Sequence, residues 1–153
     1  MAITRVQAET ILVARRSATM VAAGLAVTYV GTNASLVDPL GFAIRKVGGS
    51  TAIIGTVDDA DLATIPTDME DAFLDVAELR LLRNILGNLA LVDIKAGPLS
   101  ESLSQLAKQI GADIDRLQAF IAAEYGLGGI TMEADVIRLD FVEHDEDTID
   151  TLL

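Results

Sequence analysis

Residues 67–89, TDMEDAFLDVAELRLLRNILGNL, carry a helical pattern whose apolar side chains do not stay on one face. Met69, Phe73, Val76 and Ala77 form one stripe, while Leu81, Leu82, Ile85, Leu86 and Leu89 form a second, rotated away from the first. A helix lying on the surface of a domain needs only one stripe. Two arrangements satisfy the pattern. In one, the first half packs in the chain's own core and the second half, through Leu81, Leu82, Ile85 and Leu86, forms a subunit interface; in the other, the whole helix is buried in a single core. Asp75 and Glu78 fall between the stripes and read as surface charges whose reversal would be mild. Thr67 and Glu70 have the spacing of a capping box, and Asp68, Glu70 and Asp71 place negative charge at the positive end of the helix dipole. Arg80 and Arg83 follow in the later turns, and Gly87-Asn88 reads as the stop, so a helix over residues 68–86 is expected.

A second long helix opens at Ser100. Leu103, Leu106, Ala107, Ile110, Ile114, Leu117, Ile121 and Tyr125 recur at helical spacing, with Glu101, Gln105, Lys108, Asp113, Arg116 and Gln118 mostly opposite. Gly111 inside it weakens the helix by about 1 kcal/mol relative to Ala, which hints at a close helix–helix approach. Gly97-Pro98 marks the turn between the two, so they form an antiparallel pair. Ahead of them the expected elements are shorter. Thr4 with Gln7 offers a capping box, with Ile3 placed to staple against Ala8. The apolar run that follows is either one helix toward Gly24 or two broken near Ser17 and Thr19. Asp38-Pro39 reads as a cap and first helical residue, with that helix running to Val47. Residues 51–57 form a strand or an extended loop, and residues 58–65 a turn or two of helix before Pro66.

From Ile130 the period becomes alternating. Ile130 and Met132, then Ile137, Leu139 and Phe141, fit a β-hairpin turning at Ala134-Asp135. An acidic tail follows and ends in Leu152-Leu153. Alone it would be disordered; with apolar residues at both ends it is suited to folding against a partner. The expected fold is therefore mainly α: a helical body over residues 1–129 with two long antiparallel helices and shorter N-terminal ones, then a C-terminal β-hairpin or extended arm over residues 130–153. Ile130, Met132, Ile137, Leu139, Phe141, Leu152 and Leu153 are the candidate partner-binding residues.

Composition narrows the function. Acidic residues outnumber basic ones 23 to 11, a balance unsuited to holding phosphates by counterion release. Apolar residues make up 51 % of the 153-residue chain, mostly aliphatic, which favours an oligomer with apolar surface buried between subunits. The uncharged run at residues 17–30 is shorter than the roughly 18 apolar residues a membrane span requires, so it reads as a buried helix and not as a span or a targeting segment. Without cysteine there is no disulfide framework and no thiolate ligand or nucleophile. His144 has no nucleophile grouped with it. Asp145-Glu146-Asp147 lacks the spacing of a calcium loop and reads as a solvated charge run. GLGG at 126–129 follows a helix, the wrong context for a phosphate loop. No catalytic residue, metal site or cofactor is expected.

The segments LDVAELRLLRNILGN (74–88) and VDIKAGPLSESLSQLAKQIGADIDRLQAFI (92–121), then GLGG and the acidic DFVEHDE (140–146), resemble the head-to-tail connector adaptors of tailed bacteriophages. The resemblance is carried by the C-terminal half; the N-terminal part matches only as small helices joined by loops. It implies a virion structural protein of the neck: a helical subunit of a homo-oligomeric, usually dodecameric, ring below the portal. It also implies an extended C-terminal segment fastened to the portal, a tail or stopper protein on the other side, and DNA passing through the middle without specific binding. An acidic lumen suits that passage, because it repels phosphates. A soluble cytoplasmic helical oligomer that binds or regulates a partner is the alternative.

Overall fold

The computed structural model describes residues 2–96 and 100–127. The architecture is mainly helical, and no strand occurs among the described residues. The elements are α1 (Arg5–Ala22), a 3₁₀ turn (Ala34–Leu36), α2 (Val37–Lys46), α3 (Asp59–Leu62), a second 3₁₀ turn (Thr67–Met69), α4 (Glu70–Ala96) and α5 (Ser100–Tyr125).

The centre is α4. Its 27 residues make a rod about 40 Å long, and α1, α2 and α5 all pack on it. Being wrapped on several sides is why its apolar residues occupy more than one face: Phe73, Val76, Ala77, Leu79, Leu81, Leu82 and Ile85 are all fully buried. The capping box expected at Thr67 does not form. The chain enters instead through a 3₁₀ turn with no side-chain cap, the Met69 amide donating to the Pro66 carbonyl at 2.9 Å, and Glu70 and Asp71 sit in the first helical turn. The stop expected at Gly87-Asn88 is overridden too. Leu89 is buried in the core, so the helix gains more by continuing than Gly87 loses, and it runs to Ala96, next to the Gly97-Pro98 pair.

The pairing of α4 with α5 is antiparallel. Asp75 meets Tyr125 and Arg83 meets Gln118, so partners run in opposite order along the two helices. Ile110, Ile114 and Ile121 bury the expected stripe of α5, and Leu103, Leu106, Leu117 and Tyr125 flank it. Gly111 makes no close approach: a Cβ there would meet nothing within 4 Å.

α1 begins with the expected box. The Gln7 amide donates to Thr4 Oγ1 at 3.3 Å and the Thr4 amide to Gln7 Oε1 at 2.9 Å, while Ile3 and Ala8 both join the core. It is one helix, because Thr19 turns its hydroxyl back onto the Arg16 carbonyl at 2.9 Å without breaking the ladder. It closes at Gly24, whose φ of +69° is the left-handed conformation glycine adopts without strain. Asp38 is not the cap of α2. Asn33 caps the preceding 3₁₀ turn by accepting the Ser35 amide at 2.9 Å, and α2 follows directly, leaving Asp38 inside its first turn.

Residues 51–57 are loop, fixed from outside. Asp61 accepts the Ala52 amide at 2.8 Å and the Asp58 amide at 3.1 Å, and Thr64 Oγ1 accepts the Ser50 amide at 2.8 Å. The hairpin and arm expected over residues 130–153 lie outside the described residues.

Candidate interaction surfaces

Three helices are fastened by one ionic chain. Arg15 Nη1 of α1 donates to Asp75 Oδ1 at 3.1 Å and to Glu78 Oε2 at 2.7 Å; Arg16 Nε donates to Glu78 Oε1 at 2.7 Å and its Nη1 to Asp113 Oδ2 of α5 at 2.9 Å. Glu78 is only 6 % exposed, which corrects its expected place on the surface. It lies under two guanidinium groups, an arrangement that alternation along one helix does not reveal. Burial works to lower both arginine pKa values, but the hydrogen bonds and charges of Glu78, Asp75 and Asp113 outweigh it and leave both raised. Tyr125 adds a phenol to Asp75, and partial burial together with that bond pushes its pKa up to about 12.

A second polar centre shapes the loop after α1. Glu9 is fully buried and accepts from Arg5 Nε at 3.0 Å, the Gly31 amide at 2.7 Å and the Asn33 amide at 3.0 Å. The Asn33 side chain donates to the Ala26 and Thr28 carbonyls at 2.9 and 2.6 Å. Arg5 also donates to the Val57 carbonyl, and its amide donates to Asp59 Oδ1 at 2.7 Å. These bonds hold two loops by their backbones, so the loops' apolar side chains point outward: Tyr29 and Val30 on one, Ile53 and Ile54 on the other.

Asp38 takes a two-pronged bond from Arg80, at 2.8 Å to Nε and 3.2 Å to Nη2, and another from Asn84 at 2.9 Å. The bond to Arg80 holds its pKa below the usual carboxylate value against the opposing effect of burial. Arg83 gives one nitrogen to Gln118 Oε1 at 3.1 Å, while Nη1 is buried with no partner among the described residues. Burial, then the charge of Arg80, lowers its pKa.

Of the four residues expected at a subunit interface, Leu81, Leu82 and Ile85 are fully buried within the single chain, and Leu86 is half-buried against the same core. A side chain with no accessible surface in the lone chain has none to offer another, so the alternative of a helix buried all round describes these three. The candidate partner-binding residues from Ile130 to Leu153, with His144 and the acidic run beside it, lie outside the described residues.

The apolar surface that is left lies elsewhere. Ile3, Val6, Ile11 and Leu74 line an open groove of about 490 Å³ between α1 and the start of α4, with Glu70 and Asp71 at its edge. Ile54, 89 % exposed, and Ile53, 64 % exposed, stand at the tip of the loop after α2. Neither surface is among the interface or partner-binding residues expected from the sequence. The tip had a signal, two isoleucines next to a glycine in an otherwise polar stretch; the groove had none, since its walls are far apart in the chain. Among the described residues there is no group of three or more His, Cys, Asp or Glu placed to hold a metal ion, and no helix is long and apolar enough to cross a membrane. No protein-family model matches the chain, and neither a curated protein nor a solved structure matches it.

Proposed function

We propose that the chain is a subunit of a head-to-tail connector ring of a tailed phage, set between the portal and a tail or stopper protein and open along its axis for DNA. One observation carries the reading: the two segments that bear the resemblance, 74–88 and 92–121, make up most of the α4–α5 pair, and α1 and α2 pack on α4. The net charge of −12 supports it, because a passage lined by carboxylates holds no phosphate and lets the genome slide. In this reading residues 130–153 are the arm that grips the portal, with Ile130, Met132, Ile137, Leu139, Phe141, Leu152 and Leu153 as its apolar contacts.

The test is assembly size, by sedimentation and by electron-microscope images of the purified chain alone and mixed with a portal. Rings with an open centre are expected, and removal of residues 130–153 is expected to leave the helical body folded but unattached to the portal. A chain that stays monomeric or dimeric in every mixture overturns the connector reading and favours a regulatory or binding protein.

A further inference from the structure

A ring needs a surface on each subunit for the next, and Leu81, Leu82 and Ile85 of α4 are consumed by the core. We infer that neighbouring copies of this chain join by inserting the Ile53-Ile54 loop tip of one into the groove between α1 and α4 of the next. This inference rests on the ring reading and names the contact that reading requires.

Three observations select this pair of surfaces. First, the shapes are complementary, a projecting tip and an open groove lined by Ile3, Val6, Ile11 and Leu74. Burying isoleucines that are 64 % and 89 % exposed in the lone chain removes a projecting apolar pair from water. Second, the charges match. Exposed Arg45 shares a surface depression with Ile54 and is steadied by Thr51 at 3.5 Å, whereas Glu70 and Asp71 stand at the edge of the groove. The same depression's Asp38 is hydrogen-bonded to Arg80 and Asn84 and feels the charge of Arg45 without a hydrogen bond to it. Third, both surfaces are held in place before contact. Arg5 bridges from α1 to the Val57 carbonyl at the base of the tip, and Asp61 holds the Ala52 amide, so little order remains to be gained on docking. Tip and groove are different patches, so a contact in which each copy gives its tip to one neighbour and its groove to another is heterologous and propagates from copy to copy, which is how a ring closes; a reciprocal exchange between two copies would instead stop at a dimer.

The absence of cysteine makes a clean test. Ile54→Cys and Val6→Cys are made singly and together, checked for unchanged melting, and oxidised mildly at a concentration where the wild-type chain sediments as an assembly. A disulfide needs Cα atoms within about 7 Å, so it reports this contact and not mere proximity. Each single variant alone is expected to stay uncrosslinked, their mixture to give covalent dimers and nothing larger, and the double variant to give a ladder. In parallel Arg45→Glu should weaken assembly at least tenfold, and Glu70→Lys with Asp71→Lys should restore it. If the wild type assembles and the mixture does not crosslink, the contact is wrong and the ring stands. A double variant that stops at covalent dimers would mean a reciprocal two-fold contact, and self-crosslinking of a single variant would bring like residues together; either overturns the inference. A wild-type chain that is monomeric throughout removes the ring itself.

Discussion

Tyr125 Oη donates to Asp75 Oδ2 at 3.0 Å, tying the last residue of α5 to the carboxylate that Arg15 of α1 also holds. One carboxylate thus joins three helices. Tyr125→Phe removes a bond to a charged acceptor and should cost about 1 kcal/mol at neutral pH, less than a fully buried bond because the site is partly solvated. The tyrosine's pKa rises from 10.0 to about 12 in the folded chain, so the folded state holds the proton more tightly. The stabilisation is therefore complete below pH 10 and is lost as the pH climbs toward about 12. Denaturant melts of both proteins across that range should show the gap between them narrowing as the pH rises.

Leu82 and Leu86 separate core from rim. Leu82→Ala should destabilise the isolated chain by about 2–5 kcal/mol, since Leu82 is fully buried. Leu86, half-buried, should lose roughly 1 kcal/mol on the same change. Leu82→Asp should abolish folding of the single chain altogether, seen as loss of the helical circular dichroism signal. Equal and small effects from all three would place Leu82 outside the core.

Glu9 anchors a loop that has no regular structure of its own. Glu9→Ala removes the carboxylate that neutralises Arg5 and leaves Arg5 Nε and the Gly31 and Asn33 amides without their acceptor, and breaking such a buried pair costs about 3–5 kcal/mol. Glu9→Gln keeps the shape but turns an N–H toward one of those donors, so it should recover only part of the loss. Hydrogen exchange at the Gly31 and Asn33 amides should accelerate in both variants.

Glycine replacements should split by sign. Gly87 and Gly111 lie within α4 and α5, where an added Cβ meets nothing within 4 Å, and each change to Ala should stabilise by roughly 0.5–1 kcal/mol. Gly49→Ala places a Cβ 2.8 Å from Ile44 Cγ2 and 3.1 Å from the Ile44 carbonyl, and should destabilise by about 1–3 kcal/mol. Thermal melts of the three single variants decide it.

What the sequence determined by itself is what depends on short-range periodicity and capping. The start of α1 at Thr4 and Gln7, the full stripe of α5, and the antiparallel return after Gly97-Pro98 are all set by residues within a few positions of one another. Tertiary structure decided the rest. Leu81, Leu82 and Ile85 show an apolar face whether another subunit or α2 and α5 cover it, and only the fold says that the chain covers them itself. Gly87 ends a helix in isolation, but burial of Leu89 outweighs its weak propensity. Glu78 has the spacing of a surface acid and is buried because Arg15 and Arg16, more than sixty residues earlier, close over it. Local preference is worth about 1 kcal/mol or less per residue, whereas burying a leucine is worth about 1.5–3, so wherever the two disagree the packing prevails.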